Sequence, residues 1–157
     1  HGIAKHDLAQ HRQNISTRLQ FTNVNGAAVD TRARLNLNYT ITNSKGEDLR
    51  GFSISANPAA TAFDTTRPIV LYLSGSGGSA ENYGGEIGCA YATRQNCNFM
   101  AVNYRGYGDS DQTKISETSI AKDATTMINH LIQNEGFRPD QIIVHGYSMG
   151  ASAAAKV

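Results

Sequence analysis

Charge is scarce in this sequence. Charged residues make up 17% of its 157 positions and the formal net charge is +1, against roughly a quarter charged in an ordinary globular chain. Without a strong field of either sign there is no basis for electrostatic recognition of nucleic acid or of an anionic membrane, and no nucleic-acid partner is expected. Long apolar runs are missing as well: none approaches the roughly 18 residues that a transmembrane helix needs. Cysteine is limited to Cys89 and Cys97. No histidine lies at ligand spacing from either, so a metal site is not expected, and two reduced thiols are the simplest reading. The first residues, His1-Gly2-Ile3-Ala4-Lys5, hold neither an initiator Met nor a signal-peptide pattern, as in a mature or excised domain. The glycosylation-like patterns at Asn14 and Asn38 are therefore read as coincidence.

What is present is enough for one domain with a real core. Residues 1–30 read as a polar, partly helical N-terminal extension, with Ile3, Leu8, Ile15 and Leu19 at irregular spacing and a loop at Asn23–Asp30. Ala33, Leu35, Leu37, Tyr39 and Ile41 then alternate with Arg34, Asn36, Asn38, Thr40 and Thr42, the period of a half-buried strand with one wet face. Asn43-Ser44-Lys45-Gly46 is a turn, and Phe52, Ile54 and Ala56 continue the alternation, predicting a β-hairpin. After Pro68 the strands become continuously apolar, at Ile69–Leu73 and Phe99–Val102. Between them, Ala80–Asn96 predicts a helix weakened by Gly84, Gly85 and Gly88. Ile120, Ala124, Met127, Ile128 and Leu131 share one face of a second helix, stopped by Gly136, with His130 near its end at the surface. A hairpin followed by alternating strands and helices predicts an α/β fold with a mostly parallel sheet over residues 31–157.

Two glycine-rich segments carry chemistry. Ile142 to Val144 is apolar and β-branched, suited to a strand buried on both faces. Ala151 to Ala155 is strong helix former. Between them Gly146-Tyr147-Ser148-Met149-Gly150 matches Gly-x-Ser-x-Gly, in which a tight strand-to-helix turn lifts the serine hydroxyl clear of the sheet. The pentapeptide alone fits any Gly/Ser turn, but its flanks favour a nucleophile at Ser148. The other segment, Ser74-Gly75-Ser76-Gly77-Gly78-Ser79, follows the strand at Ile69–Leu73 and is flexible enough to bring backbone N–H groups to a developing oxyanion. Gly75 to Ala80 also matches the dinucleotide pattern Gly-x-Gly-x-x-Gly/Ala. That alternative wants an acidic residue after the next strand, where this chain has Asn103-Tyr104-Arg105, and it leaves Gly146–Gly150 unexplained. No cofactor is expected.

With both segments and Arg105-Gly106-Tyr107-Gly108-Asp109-Ser110 in place, the chain resembles the α/β-hydrolase superfamily over about residues 32–157. The resemblance implies an α/β-hydrolase fold with an N-terminal antiparallel hairpin, ending after the nucleophile helix. It also implies a serine hydrolase acting on a carboxylic or lipid ester, with Ser148 as nucleophile and the N–H groups of Met149 and Ser76 as oxyanion donors. Gly146, Gly150, Gly75 and Gly77 shape the elbow and the loop. Ser74-Gly75 stands where the family usually has His-Gly. In that family the triad acid and histidine follow the nucleophile, whereas His1, His6, His11, His130 and His145 all precede Ser148. His145 is expected to point away from the hydroxyl, and Asp109 to fix its own loop. The chain thus reads as the N-terminal half of a hydrolase, whose C-terminal remainder is its expected partner. A non-catalytic, partner-binding half-domain is the other reading.

Overall fold

The computed structural model describes residues 7–75 and 78–157. His1, His6, Ser76 and Gly77 therefore lie outside the described residues. In chain order the elements are α1 (Leu8–Gln20), β1 (Thr22–Val24), β2 (Ala27–Val29), β3 (Leu35–Thr42), β4 (Asp48–Ile54), β5 (Ile69–Leu73), α2 (Ala80–Arg94), β6 (Asn98–Val102), α3 (Glu117–Gln133), β7 (Ile142–Gly146) and α4 (Met149–Ala154). β1 and β2 form a small antiparallel pair. The other five strands build one sheet in the order β3-β4-β6-β5-β7. The hairpin β3–β4 is antiparallel and meets β6 antiparallel, while β6, β5 and β7 run parallel. This is the mixed sheet with an N-terminal antiparallel hairpin expected from the sequence, and its parallel strands carry the loops of interest.

On β3 a bulge between Asn36 and Tyr39 breaks the period of two. Leu35 and Leu37 therefore meet one core and Tyr39 and Ile41 the other, and no face of β3 is uniformly wet. Along β5 and β6 the period holds and sorts their side chains onto the two cores. Ile69, Leu71 and Leu73 of β5 join Met100 and Val102 of β6 on the face covered by α3 and α4. Val70 and Tyr72 join Phe99 and Ala101 on the face covered by α1 and α2. Burial on both sides explains why β5, and β6 after Asn98, are runs of apolar residues. The face of α3 read from the sequence packs as expected, with Ile120, Ala124, Met127 and Leu131 buried. Its start is set by a capping box in which the Ser116 hydroxyl accepts the Ser119 N–H.

Four local expectations change. The glycines of α2 do not break it: the helix runs unbroken for 15 residues. They are contact points, since an added Cβ would stand 2.5 Å from Ile15 at Gly85 and 2.5 Å from Phe99 at Gly88. The close approach lets α1 dock on α2 and α2 on the sheet, which offsets the helix propensity lost at each glycine. Arg34 is not on a wet face. It is buried in a 3-10 turn, its guanidinium donating to the carbonyls of Ser55, Ala56 and Ala92. β7 is not buried on both faces, because it is the last strand of the sheet and Ile143 is 45% exposed. Finally, His130 is half-buried, its Nε2 2.8 Å from the Tyr39 hydroxyl. Its burial without full charge compensation lowers its pKa.

The loop after β6 is held by a desolvated ion pair. Asp123 of α3, fully buried, takes the Arg105 guanidinium at 2.7 and 3.0 Å and the Arg105 backbone N–H at 2.8 Å. Glu47 adds a longer contact at 3.3 Å. Removing one partner of such a pair strands the other, so Asp123→Ala is expected to destabilise the fold by about 3 kcal/mol. The measurement is the urea unfolding midpoint, and an unchanged midpoint would show that Glu47 alone satisfies Arg105. The carboxylate of Asp109 does not hold this loop: it is half exposed, 4.0 Å from Arg12. Asp111 takes that role, accepting from Arg50 at 3.0 Å and from the Asp48 N–H at 2.8 Å.

Candidate active site

β7 delivers the chain to Tyr147 and Ser148, and α4 begins at Met149. Ser148 sits at φ 54°, ψ −114°. A non-glycine residue there costs roughly 1–3 kcal/mol and persists only where its surroundings impose it. The surroundings are visible. The Tyr147 N–H donates to the Leu73 carbonyl at 3.1 Å, tying the turn to the end of β5. The Gly150 N–H donates to the Tyr147 carbonyl and the Ala151 N–H to the Ser148 carbonyl, both at 2.9 Å. The turn is also tight on each side. A Cβ at Gly150 would stand 1.9 Å from the Leu73 carbonyl oxygen, and one at Gly146 would stand 2.5 Å from the Gly150 oxygen. The Ser148 side chain is left exposed. The Met149 N–H, in the first turn of α4, takes no carbonyl among the described residues.

Opposite the serine lies the loop after β5. A Cβ at Gly75 would come within 3.2 Å of the Tyr147 ring and 3.4 Å of the Ser148 Cβ, so the two glycine-rich segments are brought face to face. They enclose a cavity of about 70 Å³ lined by Tyr72, Ser74, Gly75, Gly78, Ser79, Tyr83, Tyr147 and Ser148, with no charged side chain on its walls. Tyr83 and Tyr147 are exposed at its rim, their rings 5.9 Å apart. A larger apolar cleft of about 280 Å³ opens between α3 and α4, where Met149 is one wall.

Two groups that sequence reasoning passed over hold the loop. The buried Tyr104 hydroxyl donates to the Ser74 carbonyl at 3.0 Å, and burial raises its pKa, keeping it a donor. Asn103, also fully buried, accepts the Ala80 N–H at 2.7 Å. The only signal for them was their place immediately before Arg105-Gly106, at the end of a buried strand. By contrast, the loop's own Ser74 and Ser79 hydroxyls are buried without a hydrogen-bond partner among the described residues.

His145 and His130 are engaged away from Ser148. His145 lies on the α2 face, its Nδ1 3.0 Å from the Tyr91 hydroxyl and its ring against Tyr72. His130 is bound to Tyr39, and His11 belongs to α1. Cys89 and Cys97 are both free and buried. Burial pushes the Cys89 thiol up to about 11, so it is an inert packing group. Among the described residues no cluster of three His, Cys, Asp or Glu is placed to hold a metal, and no helix is long and apolar enough to cross a membrane.

Comparison with known proteins bears on the fold and the family. Residues 64–157 match the family model described as serine aminopeptidase, S33. A stretch of 91 residues, 58% of the chain, is 46% identical to a multifunctional-autoprocessing repeats-in-toxin protein of Vibrio vulnificus, of which it covers 2%. The fold superposes on the crystal structure of an alpha-beta hydrolase from Vibrio vulnificus with a TM-score of 0.66 and 29% identity, over 95% of this chain and 50% of that one. An esterase from Pyrococcus furiosus shares the fold at a TM-score of 0.60 and 21% identity, over 80% of this chain and 47% of that one. The chain thus spans half or less of the hydrolase structures it matches. A dinucleotide role for Gly75–Ala80 is not favoured by these matches, and Asn103, where a ribose-binding acid would stand, spends its side chain on α2. The chain belongs to the serine aminopeptidase S33 family of α/β-hydrolases.

Proposed function

We propose that these residues carry the nucleophile of a serine hydrolase, which cleaves a carboxylic or lipid ester through an acyl-enzyme on Ser148. One observation carries the reading: an exposed serine held at φ 54° between a parallel strand and a helix, facing a glycine loop. This is the form of a nucleophile elbow. In this reading the Ser148 oxygen attacks the ester carbonyl while a base takes its proton. The N–H groups of Met149 and Ser76 receive the charge that develops on the carbonyl oxygen, and the alcohol leaves with a proton returned by the base. The uncharged cavity wall supports a neutral acyl group over a charged one.

The base and its acid are assigned to the part of a complete hydrolase that these residues do not span, since the matched hydrolases are about twice as long, His130 and His145 are bound elsewhere and His11 lies on α1. β7 would then pair on its outer side with a further strand. A fluorophosphonate probe tests the reading: in the complete hydrolase it should label one serine, Ser148, identified by peptide mass. Residues 1–157 alone are expected to leave esters unhydrolysed and to self-associate, because β7 offers an unpaired, partly apolar edge with Ile143 and Tyr147 exposed. A monomer that hydrolyses esters at an ordinary enzymatic rate would move the base into this chain, with His145 the first residue to substitute. Absence of any label on the complete, folded protein would favour the non-catalytic, partner-binding reading.

A further inference from the structure

We propose that Asn103 is a positioning residue for the glycine loop at 74–79, setting its distance from Ser148 by capping α2 from outside the helix. The inference rests on the reading of Ser148 as nucleophile. The N-terminus of a helix is ordinarily capped by the side chain of its own N-cap residue. Here the N-cap is Ser79, and its side chain makes no capping hydrogen bond. Asn103, at the end of β6 and fully buried, does the work from another element: its Oδ1 accepts the Ala80 N–H at 2.7 Å. Its Nδ2 donates to Glu81 Oε1 and to the Arg50 carbonyl, each at 2.9 Å. Every hydrogen-bonding direction of the carboxamide but one lone pair is therefore spent on joining α2 to β4 and β6.

The neighbouring residues are shaped around this join. A Cβ at Gly108 would stand 2.6 Å from the Asn103 carboxamide, which accounts for a glycine at that point of the Arg-Gly-x-Gly segment. The Ser110 hydroxyl closes the turn by donating to the Asn103 carbonyl at 2.7 Å. Glu81 is buried, and desolvation raises its pKa. Its second oxygen has no hydrogen-bond partner among the described residues, so the Asn103 donor is its main support, with the Arg12 charge nearby. The hydroxyls of Ser74 and Ser79 are also unpartnered, and among the described residues the side chains that hold the loop are Tyr104 at Ser74 and Asn103 at Ala80. Of these two pins, Asn103 fixes the end that leads into α2.

The test uses the complete hydrolase and a p-nitrophenyl ester, with hydrogen exchange as a second readout. Asn103→Ala should lower kcat by about tenfold to a hundredfold with KM changed by no more than about twofold, because loop donors misplaced by a fraction of an ångström lose transition-state contacts before ground-state ones. Amides around residues 74–82 should exchange faster while the remaining core amides keep their protection. Asn103→Asp keeps the acceptor for Ala80 but sets a second carboxyl against Glu81. Two carboxyls at that distance hold one proton between them at low pH and repel once both ionise. The activity of Asn103→Asp relative to wild type should therefore recover as the pH falls and decline as it rises. An unchanged kcat in Asn103→Ala with only a lower melting temperature would reduce Asn103 to a structural cap and overturn the proposal. So would a loss in Asn103→Asp that is the same at every pH. If the wild-type probe label falls on a serine other than Ser148, the functional reading fails first. The exchange result then decides by itself: unchanged loop protection in Asn103→Ala overturns the positioning role as well.

Discussion

Ser148→Ala in the complete hydrolase is expected to abolish fluorophosphonate labelling and to lower ester turnover by about four orders of magnitude or more, with the unfolding midpoint unchanged. The size of the kinetic loss follows from the chemistry. Without the hydroxyl there is no acyl-enzyme, and only the oxyanion donors and binding remain to stabilise attack by water, which typically leaves a small residue of catalysis. The expected neutrality in stability follows from exposure. Ser148 is exposed and packs little, and alanine keeps the same Cβ, so the strain at φ 54°, ψ −114° is the same in both. Replacing an exposed hydroxyl by hydrogen removes no buried contact. Full labelling of the alanine variant, with the probe mapped elsewhere, would remove Ser148 from the chemistry.

Gly150→Ala is expected to damage both stability and activity, through a clash that has no soft partner. The added Cβ would lie 1.9 Å from the Leu73 carbonyl oxygen, 2.6 Å from its carbon and 2.9 Å from the Ser74 oxygen. All three atoms are backbone, so no side chain can rotate away. Relief requires α4 to lift from the end of β5, and the Tyr147 and Ala151 hydrogen bonds that impose the Ser148 conformation lie in the path of that movement. Overpacking of this kind costs about 3 kcal/mol. A shift of the reacting oxygen by about 1 Å costs roughly a hundredfold in rate. Ser152→Ala serves as the control. It is an exposed position on the same helix, and it should change stability by no more than about 0.5 kcal/mol. Wild-type turnover in Gly150→Ala would mean that the close approach of α4 to β5 does not set the position of Ser148.

Much of this architecture was legible in residue order because it rests on local pattern. Alternation at Leu35–Ile41 marked the edge hairpin, and unbroken apolar runs at Ile69–Leu73 and Phe99–Val102 marked strands covered on both sides. The spacing of Ile120, Ala124, Met127 and Leu131 marked the buried face of α3. Gly146–Gly150 marked a strand-to-helix turn, since its residue types are those that such a turn demands. These signals are short-range, and a periodicity or a pentapeptide contains all that they need.

What the sequence could not supply was contact between distant segments. The glycines of α2 read as weakening the helix, because propensity is a property of one residue, whereas their use depends on Ile15 and Phe99 arriving from elsewhere. Arg34 read as solvated until three carbonyls from β4's end and α2 closed around it. Ile142–Val144 read as doubly buried, because an apolar run records what a strand prefers and not what covers its faces, and Ile143 is exposed. The pins on the glycine loop, Tyr104 on Ser74 and Asn103 on Ala80, join residues 30 and 23 positions apart. Hydrogen bonds between such partners leave no local periodicity, so only the folded arrangement of β5, β6 and α2 could bring them to light.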